Sequence, residues 1–307
     1  MVRLVDVAKA AGVSQGTASN VFNNPDIVRP ALRDRVLAAA QEMGYAGPDP
    51  RGKLLRDGKF NSIVVLPPRS WTVQFSIGNP VYNQFLQGVS EVCDQMSANL
   101  LVAPGAIHRS SVSSALVDCI IFSRIDQPEE VKAAQLRKIP FCVVDFDLGP
   151  EVNSVRADAR AGAYMAAKHL IELGHRQFGI MSFRRNFGPC IVHKPNEPRP
   201  AEAAGIATDQ QKYLGYKDAF AEIGLDIAAV PMVQSDVEDR KAPGVLLDLA
   251  PNATAILSMS IMQAIGVVNE ATRRGINVPQ DLSVVGYNDI NAAQTCLPPI
   301  TTVDGMM

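Results

Sequence analysis

Gln15, Ser19 and Asn20, with Gly16 and Thr17 among them, place several polar groups within six residues. A primary amide holds a donor and an acceptor side by side, which suits it to pair twice with the edge of adenine. Gln15 and Asn20 carry that group, while Gly16 offers only backbone and close approach. Groups suited to phosphate stand nearby: Lys9 as a point charge, Ser14 and Thr17 as hydroxyls, Arg33 as a planar cation. Reading bases requires these side chains to share one outward surface, and the flanking sequence must supply the elements that hold it.

Val7, Ala8 and Ala11 fall at helical spacing and form a narrow apolar face. Gly12 can take the left-handed geometry of a tight turn. Ser14 then stands where an N-cap oxygen is wanted, and Ala18, Val21 and Phe22 can pack a second helix back on the first. Two short helices across a glycine turn are the helix-turn-helix pattern, whose second helix enters the major groove. An ordinary helical hairpin is the alternative. Three features favour the DNA-reading form: Ala8, Ala10, Ala11 and Ala18 crowd the helix contact, Gln15, Ser19 and Asn20 fall on the exposed side, and a third helix follows. That helix starts at Pro30, presents Leu32, Val36, Leu37 and Ala40 inward, and ends at Gly44. Residues 1–46 are thus expected to form an all-α headpiece.

The 307 residues exceed one compact core. The net charge of −2 hides an asymmetry: residues 1–60 carry nine Lys/Arg against six acids, a net +3, leaving −5 behind them. A basic end on an acidic body suits a phosphate-contacting module joined to something that does not touch nucleic acid. No apolar leader or membrane-length run occurs, so a cytoplasmic protein without membrane contact is expected. Five scattered cysteines without a C-x-x-C pair read as buried thiols in a reducing compartment.

Residues 46–60 are rich in Gly, Pro and charge and read as a linker. Beyond them apolar strands alternate with helices: strands near 63–66, 100–102, 119–122 and 141–144, with helices 80–96 and 128–138. A second series has helices 159–173, 209–223, 239–249 and 261–274, and strands 178–181, 229–233, 255–257 and 282–285. Such alternation means α/β parallel sheets covered on both faces, here two Rossmann-like subdomains that take ligand outside the carboxyl ends of their strands. Neither half has a G-x-G-x-x-G or a G-x-x-x-x-G-K-[ST] cradle. No Ser stands in a G-x-S-x-G elbow, and the four His show no metal spacing. Catalytic residues, cofactor and metal are therefore all expected to be absent. The competing reading is a small-molecule-binding protein or enzyme of sugar metabolism with a helical extension.

Asp6-Val7-Ala8, Ala11-Gly12-Val13-Ser14, Thr17, Ser19, Asn23-Asn24-Pro25 and Arg35-Val36-Leu37-Ala38-Ala39-Ala40 through Gly44-Tyr45 resemble the headpiece of the LacI/GalR family of bacterial repressors. The resemblance continues along nearly the whole chain. It implies a homodimeric, sequence-specific transcription regulator, a repressor, bound to a pseudo-palindromic operator. A periplasmic-binding-protein-like core would take a small effector, a sugar or sugar derivative, between its subdomains. Ser19 and Asn23 join the DNA-contacting set. Residues 47–60 become a hinge whose Leu55 would wedge into the minor groove, although Pro50 and Gly52 depart from the family's helix formers. The core divides into 61–158 with 289–303, and 159–288; its C-terminal end looks truncated.

The resemblance also nominates effector contacts. Tyr82, in Asn79-Pro80-Val81-Tyr82, takes the place of an aromatic that stacks on a ring. Asp158 matches an acid near the crossover between subdomains, and Asn288 replaces the first acid of a family pair. Lys212 stands where the family has Arg, and Ser260-Ile261 where it has Asn-Asp. Two loops are unusual: one carries the only Trp, Trp71, and the other spans 183–208 with Arg184, Arg185, His193, Lys194 and Arg199. These cations would suit an acidic or phosphorylated effector; a mobile surface loop is the other reading of that segment.

Overall fold

The computed structural model describes residues 2–48, 58–68, 71–105, 116–123, 128–184, 188–197, 199 and 207–305. They form two compact units, Met1–Phe60 and Asn61–Met307.

The first unit has three helices, α1 (Leu4–Ala10), α2 (Gln15–Asn23) and α3 (Pro30–Glu42), with a 3-10 turn at Pro25–Ile27. Gly12 ends α1 at φ +63°, which costs glycine no Cβ clash. Val7, Ala8, Ala11, Ala18, Val21, Val36, Ala39 and Ala40 make the core. Phe22 meets Tyr45 edge-on with ring centroids 5.6 Å apart. Two expected contacts fail. Ala10 is exposed, and α3 turns Val36, Ala39 and Ala40 inward while Leu37 is 42% exposed. The spacing 36, 39, 40 follows one helical face; Leu37 lies about 100° around the axis from Val36.

The second unit holds two sheets. The first joins β1 (Ser62–Leu66), β2 (Asn99–Val102), β3 (Cys119–Ser123), β4 (Phe141–Val144) and β5 (Ser154–Val155) in the order β2-β1-β3-β4-β5. All pairs are parallel, with Val64 opposite Leu101 and Ile120. Helices α4 (Val73–Gly78), α5 (Pro80–Gln95) and α6 (Pro128–Leu136) connect them. Val64, Leu66, Ile120, Phe122 and Val143 are buried together on one face, as alternation in a strand requires.

The second sheet joins β6 (Phe178–Phe183), β7 (Ile191–His193), β8 (Met232–Ser235), β9 (Ala255–Ser258), β10 (Ser283–Tyr287) and β11 (Thr301–Val303) in the order β11-β10-β9-β6-β8-β7. Only the edge strand β7 is antiparallel. Helices α7 (Ala159–Glu172) and α8 (Ala207–Ala221) supply Ala163, Ala167, Leu170, Tyr216 and Phe220 to the core on one face. Helices α9 (Ala242–Leu249) and α10 (Ile261–Arg273) supply Leu246, Ala264 and Val267 to the other. Setting β7 aside, both sheets repeat one plan: the second strand lies on one side of the first and the third on the other. That order creates a switch point between β1 and β3, and another between β6 and β9.

Several sequence expectations are corrected here. Residues 289–303 do not rejoin the first sheet. The short helix α11 (Asn291–Thr295) leads to β11, which pairs with β10 at Val285↔Thr301. Ile290, Ala293 and Ile300 are buried with α9 and α10, because β10 would otherwise leave an open edge and those apolar groups an uncovered face. Within 183–208, β7 adds an ordered strand. Of the five free cysteines only Cys93 is buried and the other four are half-buried. Among the described residues no helix is long and apolar enough to cross a membrane.

Helices α7 and α8 cross closely at Gly215. A Cβ there would strike the carbonyl of Arg160 and stand 2.8 Å from the amide nitrogen of Tyr164. Backbone cannot yield as a side-chain tip can. Gly215→Ala should therefore cost about 3 kcal/mol or more of core stability, measured by urea denaturation. A loss under about 0.5 kcal/mol would contradict this packing.

Candidate functional site

The outward side of α2 is built by its inward side. Ala18 and Val21 are buried at 0% and 4% exposure, which turns Gln15 and Gly16 fully outward and leaves Thr17, Ser19, Asn20 and Asn23 half-exposed. Ser14 caps the helix: its Oγ accepts from the Thr17 amide at 3.0 Å and meets Thr17 Oγ1 at 2.9 Å. Asn23 donates to the carbonyl and hydroxyl of Ser19 at 3.0 and 3.1 Å, so these two polar groups hold each other. A Cβ added at Gly16 would meet only Ser14 Oγ, at 3.8 Å, and its backbone is not left-handed. The fold does not require glycine there. Lys9 is exposed and Arg33 half-exposed on the same unit. Leu55 lies outside the described residues.

In the second unit, polar side chains gather at both switch points. At β1/β3 the Tyr82 hydroxyl meets Ser123 Oγ at 2.9 Å, and Ser123 Oγ donates to the Leu66 carbonyl at 3.2 Å. Burial pushes the Tyr82 phenol up to about 12, with Ser123 opposing. Tyr82 is 7% exposed and is boxed by Trp71 and Phe85, each 5.5 Å away centroid to centroid. The half-buried Trp71, not Tyr82, is the aromatic nearer solvent.

At β6/β9, Lys212 is 2% exposed. Its Nζ donates to the Met259 carbonyl at 2.9 Å and lies 4.0 Å from the centre of the Tyr287 ring, an arrangement in which the ring face attracts the cation. Burial raises the Tyr287 phenol to about 12, and the charges of Asp158 and Asp145 add to the shift. Gly162 admits the Tyr287 hydroxyl, which would lie 2.5 Å from a Cβ there. Asp158 is exposed and caps α7 through the Ala161 amide at 2.9 Å. Ser260 caps α10 at Met262 and is 2% exposed, so its hydroxyl is committed internally. Gln263 ties the ends of β6 and β8 through the Ser182 and Ser235 carbonyls at 2.9 and 3.3 Å.

Asn288 is left-handed at φ 75°, and so is Asp145 at φ 60°. Each follows the fourth strand of its own sheet, and each amide donates at 2.9 Å to the fifth, to Val303 and Val155 respectively. Non-glycine residues held in this region mark constrained positions. Sequence reasoning missed Asp145 and Tyr287. The acid directly after the apolar run Phe141–Val144 was the available signal for the first.

Of the cations expected to favour an acidic effector, Lys194 is exposed and Arg185 lies outside the described residues, while three are bonded locally. His193 is 8% exposed and bonds Gln234 Oε1 at 2.8 Å. Arg199 donates to the carbonyls of Ile227, Ala228 and Val230, and Arg184 to that of Pro189. These guanidinium groups satisfy loop backbone rather than face a cleft. Among the described residues no cluster of three or more His, Cys, Asp or Glu could hold a metal ion.

A three-helix unit with a polar, outward-facing second helix, joined to a doubled α/β core with polar switch points, is the architecture of a DNA-binding transcription regulator. Residues 3–47 match the profile of bacterial regulatory proteins of the lacI family, and residues 167–307 that of a periplasmic binding protein-like domain. The HTH-type transcriptional repressor CytR of Escherichia coli (strain K12) is 29% identical over 308 residues, 97% of this chain and 83% of the relative. In fold, a Lac repressor dimer bound to operator and the anti-inducer ONPF matches with a TM-score of 0.74 at 21% identity, covering 98% of this chain and 86% of that one. A transcriptional regulator CelR–cellobiose complex matches at 0.65 and 23% identity, covering 98% and 87%. The chain thus combines a LacI-family helix-turn-helix domain with a periplasmic binding protein-like domain.

The cap at Ser14 should matter to the reading helix itself. Ser14→Ala is expected to lower the opening free energy of the first-turn amides of α2 by about 1 kcal/mol, read by hydrogen exchange. Unchanged protection would show that the cap contributes nothing.

Proposed function

We propose that the protein is a cytoplasmic, homodimeric repressor whose two headpieces bind a pseudo-palindromic operator. A small effector, a sugar or sugar derivative, is held where the carboxyl ends of the two sheets carry their polar groups. The headpiece is residues 1–46, the hinge 47–60. Effector binding changes closure of the core, and the hinge transmits this as a change in operator affinity. Dimer symmetry and operator symmetry then match, as two half-sites require.

The observation that carries the reading is the exposure of Gln15 and Gly16 at the start of α2 while Ala18 and Val21 are buried. The first residues of a recognition helix are those that reach base edges. Gln15 and Asn20 specify bases; Lys9, Ser14, Thr17 and Arg33 position the phosphates. Ser19 and Asn23 contribute as a mutually bonded pair, and Leu55 is the hinge wedge. On the effector side, Trp71, Asp158 and Asn288 offer contact groups. Lys212, Tyr82 and Ser260 act one step removed, because their polar groups are buried and already bonded. The acids Asp145 and Asp158 near Tyr287 favour a ligand with hydroxyl donors over an anionic one.

Operator selection from random duplexes tests this. The wild-type chain should select a pseudo-palindrome, and Asn20→Ala should lose ~1–3 kcal/mol of specific binding with relaxed preference at one base pair per half-site. An unchanged selected sequence for Asn20→Ala, or no selected sequence for the wild type, would refute the assignment.

A further inference from the structure

The aromatic at the first switch point that the family resemblance nominates for stacking, Tyr82, is closed off. Its hydroxyl is bonded to Ser123, and its ring is flanked by Phe85 and Trp71. Trp71 covers it from the side nearer solvent. The indole belongs to the stretch between β1 and α5, which contains the short helix α4. Four local bonds hold its described residues. The Trp71 amide donates to the Pro68 carbonyl at 2.8 Å, and the Trp71 carbonyl accepts from Gly105, just beyond β2, at 3.0 Å. Thr72 Oγ1 caps α4 by accepting from the Phe75 amide at 3.0 Å, and Asn83 donates to the Ile77 carbonyl at 2.6 Å. The indole also meets Phe75 edge-on with centroids 4.7 Å apart.

Trp71 is thus held over the carboxyl ends of β1 and β2, beside the β1/β3 switch point where a sheet of this order takes its ligand. A large, half-buried aromatic already locked in place loses little entropy on stacking. We propose that Trp71 is the stacking wall of the effector cleft, and that the effector presents a flat ring face to it. Two ligand types share that chemistry: a nucleobase-like heterocycle, or the C–H face of a sugar ring. The inference rests on the effector reading given above and narrows it to ligands with such a face. A linear polyol or a simple carboxylate does not qualify.

Trp71 is the chain's one tryptophan, so its emission reports on a single place. The full chain is mixed with a panel of common nucleosides, pentoses, hexoses and disaccharides, following both Tm and indole emission. A ligand that raises Tm should also quench or shift the emission. Nucleosides and sugars, as separate arms, show which ring type is taken. Trp71→Ala should weaken that ligand by about tenfold or more, and Trp71→Phe by no more than about threefold, both read from the ligand's effect on Tm. Equal Tm of the three proteins without ligand would show that folding is intact. A ligand that raises Tm with emission unchanged, or that binds Trp71→Ala as tightly as wild type, overturns the stacking proposal and leaves the effector reading standing. No Tm response to any member of the panel counts against both.

Discussion

The headpiece depends on how closely α1 and α2 can approach. Ala8, Ala11 and Ala18 are each at most 4% exposed, and larger side chains there would push the helices apart. With that contact made by methyl groups, Val7, Val21 and Val36 complete a core small enough for a unit of about fifty residues. Among the described residues of its own unit, the remaining face of α2 is left exposed or half-exposed. Polar groups on it lose no solvation in the folded protein and remain available to a partner with donors and acceptors of its own. DNA binding is in this sense a consequence of packing. The inward alanines decide which way Gln15 points.

The core obeys a different constraint, applied twice. With the antiparallel β7 set aside, each sheet runs second, first, third, fourth, fifth strand, so each has one place where successive connections leave in opposite directions and a crevice opens. Buried polar groups in such a crevice need partners. In the first sheet Ser123 links Tyr82 to the Leu66 carbonyl; in the second, Lys212 reaches the Met259 carbonyl and the Tyr287 ring. The parallel extends to the left-handed Asp145 and Asn288, each placed after the fourth strand and bonded to the fifth. One half keeps an acid at this position and the other an amide, which gives the carboxyl ends of the two sheets different hydrogen-bonding character.

Long periodic segments were legible in the sequence. The apolar runs Ile63–Leu66 and Ala255–Leu257 and the faces of α5, α7 and α10 announced themselves through spacing alone. Elements whose existence depends on a distant partner did not. β11 has three residues and forms because β10 needs an edge; β7 exists only against β8. Leu37 was misread because a helical face is defined by its neighbours in three dimensions, and the buried arc runs from Ala39 through Val36 to Ala40, leaving Leu37 beyond its edge. On the DNA side the exposed residues of α2 followed from its buried ones. On the effector side residue type could not tell which hydroxyls were already engaged. Tyr82 and Ser260 are used by their own fold, and Trp71 took the solvent-side position through contacts with Phe75 and Gly105 that no local pattern encodes.

The central claim is that the chain meets DNA through the outward face of α2. Backbone amide shifts of the isotopically labelled protein, followed while its selected operator duplex is added at moderate salt, test this most directly. The account predicts that the largest changes fall on residues 14–20, with smaller ones at Lys9 and Arg33, and that the amides of β6 and β9 stay still. Perturbations centred on the core sheets, with α2 unmoved at saturating DNA, would contradict it.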